Sequence, residues 1–360
     1  MDLPNAYARV FKVKRGLQMA ERREAFEIAG RRIPPRRRAT VNLPMTALAD
    51  LTPVTLSVHV IHGGRPGPTM FVSAAIHGDE MIGVDIVRRL LRTPQLNNIA
   101  GTLLAVPIVN TFGFLNQSRY LPDRRDLNRS FPGSAGGSMA SRLAFLFRTE
   151  VMARCSHGID LHSAAIHRIN LPQIRVSPAR PEALRLAHAF GAPVILASKT
   201  REGSLRELAG QMGVETLLFE AGEGLRIDDG AARLGVAGIL RVMASLGMIP
   251  AGSLPRGRTK SLHCPKSEWL RAPTAGLIDI RATVGDTVAA GTILGTISDP
   301  FGETETEIVS PKAGIIIGCA TLPVANEGDA VFHLAELPIA SAEDLPDADA
   351  PQMADEDEII

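Results

Sequence analysis

Between Thr55 and Leu246, apolar runs of strand length alternate with segments of helical period, and few folds accept that pattern. Thr55–Ile61 alternates apolar and polar residues. Met70–Ile76 is nearly continuously apolar, as a strand buried on both faces should be. Met81–Leu91 has helical spacing and ends in arginines, favourable at a helix C-terminus. Thr102–Val109 reads as another buried strand, with Pro107 near its end. Ser138–Ala153 reads as a helix, and Ile159–His162 closes a short strand. Pro181–Phe190, Val194–Ala197, Ser204–Met212, Glu215–Phe219 and Asp228–Leu246 continue the alternation. The pattern predicts an α/β domain with a mixed, mostly parallel sheet flanked by helices.

The 360 residues suffice for one large and one small domain. Residues 1–45 are basic and poorly periodic. They read as an N-terminal extension with a helix around Gln18–Ile28. The catalytic domain is expected over 46–251, and Gly252–Lys260 is read as a linker. Residues 265–337, rich in Thr, Val, Ile and Gly, read as a small all-β domain. Within it Leu270–Ile278 matches Ile308–Ile316 in pattern, a weak internal repeat with Pro-x-x-Gly turns. Residues 341–360 are acidic and read as a disordered tail.

A net charge of +1 implies no global attraction to nucleic acid or membrane. The basic run Arg31–Arg38 lacks interleaved aromatics, so a solvated edge or subunit contact is expected of it. No run approaches the ~18 apolar residues of a membrane span, and no signal peptide is visible. Cys155, Cys264 and Cys319 are odd in number and far apart, which predicts no disulfide framework. A reducing cytoplasm is the expected compartment.

The chemistry concentrates in two motifs, His77-Gly78-Asp79-Glu80 and Asp160-Leu161-His162. Two histidines and one carboxylate make a three-ligand zinc site with one position left for substrate or water. The spacing differs from the helical H-E-x-x-H pattern. The motifs follow apolar runs, so the ligands are expected at the carboxyl edge of the sheet, where open α/β folds place their sites. A long loop, Gly113–Gly137, follows; loops of that length are often functional. It holds Arg119, Asp126, Asn128 and Arg129. An Asn-Arg pair beside a zinc site offers capture of a carboxylate.

With these pieces together the sequence resembles the succinylglutamate desuccinylase/aspartoacylase family, a branch of the zinc carboxypeptidase superfamily. The resemblance rests on His77-Gly78-Asp79-Glu80, Asp126-Leu127-Asn128-Arg129, Asp160-Leu161-His162 and Phe219-Glu220-Ala221-Gly222, in family order over roughly residues 45–250. It implies one Zn2+ held by His77, Glu80 and His162. It implies Glu220 as the general base that carries a proton from the attacking water to the leaving amine. Glu223 is close in sequence, but Glu220 directly ends the apolar strand. Arg119 would stabilise the oxyanion. Asn128 and Arg129 would hold the substrate α-carboxylate. Asp126 would hydrogen-bond a ligand histidine. The implied activity is deacylation of a small N-acyl amino acid. A metallocarboxypeptidase and a non-catalytic binding protein of the same fold are the alternatives. Related enzymes also make a homo-oligomer a reasonable expectation.

Two departures from the family pattern stand out. Asp123-Arg124-Arg125 makes the stretch from Arg119 to Asn128 look longer than in aspartoacylase. The only tyrosines are Tyr7 and Tyr120, so the C-terminal-domain tyrosine that aspartoacylase uses for substrate has no match. The β-domain's Val284-Gly285-Asp286-Thr287-Val288 resembles a turn of biotinyl and lipoyl carriers. Ile297–Ile308 lacks the lysine a carrier needs, so a barrel-sandwich scaffold over the active-site mouth is expected.

Overall fold

Strands begin earlier than the periodicity predicts. In the computed structural model, residues 23–254 and 260–337 are described. Expectations placed on 1–22, on 255–259 of the linker and on the 341–360 tail lie outside them. The chain runs β1 (Phe26–Ile28), β2 (Arg31–Ile33), β3 (Arg37–Ala47), β4 (Pro53–His62), β5 (Arg65–Ala74), α1 (Ile82–Leu90), β6 (Ala100–Val106), α2 (Thr111–Asn116), α3 (Met139–Glu150), β7 (His157–His162), β8 (Arg168–Val176), α4 (Pro181–Phe190), β9 (Val194–Ala197), α5 (Leu205–Gln211), β10 (Glu215–Glu223) and α6 (Asp229–Ser245).

The expected helix over Gln18–Ile28 is corrected where it is described: Phe26–Ile28 is a strand, paired antiparallel to β2. The reading of residues up to 45 as an extension is corrected as well. β3 pairs with β4 along its length, from Arg37↔His62 to Ala47↔Pro53. Val41, Leu43 and Met45 alternate inward between exposed Asn42 and Pro44. The arginines of the basic run hide that period of two. Pro44 is tolerated because β3 lies at the end of the sheet. The loop predicted from Gly113 also starts later, since α2 runs to Asn116.

Through the first and larger part of the chain the main sheet has the order β8-β10-β7-β5-β6-β4-β3. β6, β5, β7 and β10 are mutually parallel, and both flanks turn antiparallel. Helices cover both faces. Met70, Val72 and Ala74 of β5 pack in one core with Ile86 of α1, Phe190 of α4 and Ile239 of α6. The intervening Phe71 faces the opposite core and meets Phe147 of α3 edge-to-face at 5.7 Å. Full burial of one such side chain contributes roughly 1.5–3 kcal/mol. No helix among the described residues is long and apolar enough to cross a membrane.

The C-terminal strands are β11 (Leu262–Cys264), β12 (Ser267–Arg271), β13 (Gly276–Ile280), β14 (Thr287–Val288), β15 (Ile293–Ser298), β16 (Glu305–Val309), β17 (Gly314–Ala320), β18 (Val324–Ala325) and β19 (Ala330–Glu336). The internal repeat corresponds to strand–turn–strand at β12–β13 and again at β16–β17. One layer is the sheet β16-β15-β13-β18; the other, β12-β19-β17, is continuous with the main sheet. The join is antiparallel pairing of β17 with β8, at Gly318↔Asn170, Cys319↔Ile169 and Ala320↔Arg168. β11 adds a second join by pairing with β9.

Candidate metal centre

β5 and β7 are parallel neighbours, with Ala74 opposite Leu161. The residues after β5 and the last residue of β7 therefore emerge at the same carboxyl edge. Beyond β5 the backbone turns through Ala75, at φ 50°, into His77–Glu80 and then α1. The Glu80 N–H donates to the His77 carbonyl at 3.2 Å, which folds both side chains to one side. Gly78 makes this turn possible. A Cβ there would lie 1.8 Å from the Gly113 carbonyl carbon.

His77, Glu80 and His162 converge, each about 3% exposed, with ligand atoms all within 4.8 Å of one another. The Glu80 Oε1 is 2.6 Å from His77 Nδ1, and its Oε2 is 2.8 Å from His162 Nδ1. Each outer ring nitrogen faces another carboxylate. His77 Nε2 is 3.2 Å from Asp126 Oδ1, and His162 Nε2 is 2.9 Å from Asp160 Oδ2. Ser73 Oγ donates to the second Asp160 oxygen at 2.7 Å. A proton held on Nε2 by these carboxylates leaves each Nδ1 lone pair directed inward.

The electrostatics follow from this packing of charge. Burial alone would lower both imidazole pKa values. The neighbouring carboxylates together outweigh it, Glu80 with Asp126 at His77 and Glu80 with Asp160 at His162, so both stand above the ordinary value. Burial would raise the Glu80 carboxyl, but the two histidines hold it far below the usual range. Asp126 is held down in the same way by His77, Arg119 and Arg129. Three carboxylates around two histidines favour a cation at the centre. Two buried imidazoles and a carboxylate form a donor set that fits a metal ion.

Arg119 reaches this centre. Its Nε and Nη2 donate to Asp126 Oδ2 at 3.2 and 2.9 Å, and its Nη1 lies 3.8 Å from Glu80 Oε1. Burial lowers its pKa, but Asp126 and Glu80 raise it further, so it stays charged. Asn128 is buried at the single 3₁₀ turn Leu127–Arg129; its side-chain oxygen accepts from the Leu205 N–H at 2.9 Å. Arg129 follows it and lies near enough to Asp126 to act on its charge. Its Nη1 donates to the Asn128 carbonyl, and it lines a cleft of about 470 Å3 with Phe131, Glu202 and Glu207.

Glu220 stands opposite His162 in the β10–β7 pairing and opposite Gln173 in the β10–β8 pairing. Its Oε2 accepts from Asn170 Nδ2 at 2.7 Å, and its Oε1 lies 3.5 Å from Arg175 Nη1. Glu223 is used differently: its Oε1 accepts from the His167 N–H and from Thr321 Oγ1.

Sequence reasoning quoted Asp160 in its motif without giving it a role, and did not single out Ser73, Asn170 or Arg175. Asp160 carried a readable signal, since a residue two before a ligand on a strand shares its face. The partners of Glu220 come from β8, which the periodicity did not reveal.

The chain is similar to several known proteins. The succinylglutamate desuccinylase/aspartoacylase catalytic domain matches residues 66–246. N-alpha-acetyl-L-2,4-diaminobutyric acid deacetylase of Halomonas elongata is 24% identical over 296 residues, covering 79% of this chain and 86% of that protein. Among solved structures, a succinylglutamate desuccinylase/aspartoacylase from Rhodobacter sphaeroides superposes with TM-score 0.74 at 24% identity, covering 84% of this chain and 96% of that one. The product-bound ectoine utilization protein EutE of Ruegeria pomeroyi gives TM-score 0.74 at 23% identity, over 83% of this chain and 95% of that one. The chain belongs to the succinylglutamate desuccinylase/aspartoacylase family.

Proposed function

We propose that this protein is a zinc-dependent amidohydrolase that removes a small acyl group from an N-acyl amino acid. The observation that carries the reading is the register that stands Glu220 opposite His162, a member of the buried His77–Glu80–His162 donor set. His77 Nδ1, His162 Nδ1 and the Glu80 carboxylate would hold one zinc ion per chain. Zinc in such a setting supplies a water acidic enough to attack at neutral pH and polarises the scissile carbonyl.

The chain's own groups do the rest. Glu220 accepts the proton of the attacking water and delivers it to the departing amine nitrogen. Arg119, fixed by two hydrogen bonds to Asp126, directs its third nitrogen toward the centre, where negative charge grows on the carbonyl oxygen. Asp126 and Asp160 hold the ligand rings in one tautomer. Asn128 and Arg129 are assigned to the substrate α-carboxylate. The Asn128 oxygen is committed to Leu205, which leaves its NH2 group as the donor. The Halomonas relative, an N-alpha-acetyl-L-2,4-diaminobutyric acid deacetylase, supports an N-acyl amino acid as substrate. The C-terminal strands are read as a barrel-sandwich scaffold. With three free thiols and a metabolite-sized substrate, a cytoplasmic setting fits.

The test is metal analysis together with a panel of N-α-acetyl-L-2,4-diaminobutyric acid, N-acetyl-L-aspartate, N-succinyl-L-glutamate and C-terminal dipeptides. Bound zinc with cleavage of an N-acyl amino acid is expected. Cleavage of dipeptides alone would favour the carboxypeptidase reading, and no cleavage with no metal would favour a binding protein.

A further inference from the structure

Asn170 is 5% exposed, and its Nδ2 donates to Glu220 Oε2 at 2.7 Å. It reaches Glu220 from a neighbouring strand, and the sheet around it is built to allow that reach. Asn170 pairs with Gly222 of β10 on one side and with Gly318 of β17 on the other. Paired residues project from the same face of a sheet, so the row carries no side chain on either side of Asn170. The β10–β8 register also shifts between Glu220 and Gly222. A bulge of this kind re-aims a side chain. Gly222, at φ 74°, is constrained by its backbone, and Gly318 by space. A Cβ there would sit 2.8 Å from Asn170 Oδ1 and 3.2 Å from His333 Cβ.

We propose that Asn170 is a positioning residue for Glu220, and that the C-terminal β unit, through Gly318, leaves the space in which Asn170 holds it. The inference rests on the reading of Glu220 as the base. Asn170 acts by fixing one carboxylate oxygen, so that the other is presented beside Arg175 in one orientation. Gly318 gives the C-terminal strands a part in catalysis without contact with substrate. Its role requires only that β17 bring a residue with no side chain against β8.

The test uses the full-length, zinc-loaded protein and whichever N-acyl amino acid of the panel it cleaves. Asn170→Leu removes the donor at similar volume, and Asn170→Asp keeps the shape in case the first variant does not fold. Both are expected to lower kcat by up to about 10²-fold, the cost of a misplaced catalytic group, with KM and zinc content within about twofold of wild type. Gly318→Ala is expected to lower kcat in the same way. Combined with Asn170→Leu it should add little, because both act on one contact. Wild-type kcat in both Asn170 variants, or fully additive losses with Gly318→Ala, would overturn the inference. So would a change confined to KM or to zinc content. Glu220→Gln is run in parallel to separate the two failures. If it abolishes turnover while the Asn170 variants do not, the positioning role alone is lost. If it keeps full activity, or if no panel compound is cleaved by wild type, the reading of Glu220 fails and the inference falls with it.

Discussion

Glu220 stands directly opposite His162 in the parallel pairing of β10 with β7. Glu220 and His162 therefore leave adjacent strands at one edge of the sheet, and their relative position is set by backbone hydrogen bonds rather than by a loop. Glu220→Gln keeps the side chain's shape and removes its ability to take a proton. We expect kcat to fall by roughly 10²–10⁴-fold, the usual worth of a general base, with zinc stoichiometry unchanged. Steady-state kinetics with metal analysis on the same preparation checks this. Loss of zinc in that variant would make Glu220 a ligand instead.

The outer carboxylates lead to a different expectation. Asp160 and Asp126 each face the Nε2 of a ligand histidine, and each has a second partner, Ser73 Oγ and Arg119 respectively. Asp160→Asn or Asp126→Asn removes the charge that favours the Nδ1 lone pair inward. Each should weaken zinc binding by about 10–100-fold. Competition against a chromogenic chelator measures it. Asp126→Asn should in addition lower kcat, because it frees the Arg119 guanidinium, whereas zinc-saturated Asp160→Asn should recover most activity.

How much of this could be read from sequence differs from element to element. β5 and the ligands beyond it were legible because Met70–Ile76 is buried on both faces and reads as a continuous apolar run. β3 was not, because its exposed face carries arginines and a proline that look like a loop. β8 was missed for a reason tied to the site itself. Asn170, Gln173 and Arg175 are buried polar residues, and Asn170 and Arg175 meet Glu220. A strand whose inward positions carry chemistry loses its hydrophobic period, so pattern reading fails where the site is. The join between β17 and β8 pairs residues far apart in sequence, which local periodicity cannot reveal. Arg129 was legible as a cation near the site, but its place along the Phe131–Glu207 cleft depends on tertiary packing.

The pH dependence of stability should differ in sign between the metal-free and zinc-loaded protein. Without metal, His77 and His162 have raised pKa values, because Glu80 and the outer carboxylates together outweigh burial. Their contribution is fully present below the unfolded imidazole value of about 6.5 and is lost as pH rises through the higher folded value. Glu80 and Asp126 are depressed, so their contribution is present above about pH 4 and is lost as pH falls through their folded values. The metal-free protein should therefore be most stable between about pH 4.5 and 6.5. Zinc requires both imidazoles neutral, so its stabilisation grows with pH. Thermal melts with and without chelator should show the gap between the two forms widening from pH 6 to pH 9. A gap independent of pH would mean that the two histidines are not ligands.

Gly78 tests how tightly the ligand turn is tied to the fold. A Cβ at this position would meet backbone atoms only, at 1.8 Å from the Gly113 carbonyl carbon and 2.2 Å from the Phe114 nitrogen. Backbone cannot move aside as a flexible side chain does, so the strain falls on the His77–Glu80 turn or on α2. Overpacking of this kind costs about 1–3 kcal/mol, and more where neither side yields. Gly78→Ala is therefore expected to lower the denaturant midpoint and to weaken zinc binding together, since the Gly78 N–H also anchors the turn to the Ser118 carbonyl at 3.1 Å. Gly136→Ala is the control: a Cβ there meets nothing within 4 Å and the φ is ordinary, so stability should change by less than about 0.5 kcal/mol. If Gly78→Ala retains both wild-type stability and wild-type zinc affinity, the turn is looser than its contacts imply, and the convergence of His77 with Glu80 must then be held from the side of Asp126 and His162.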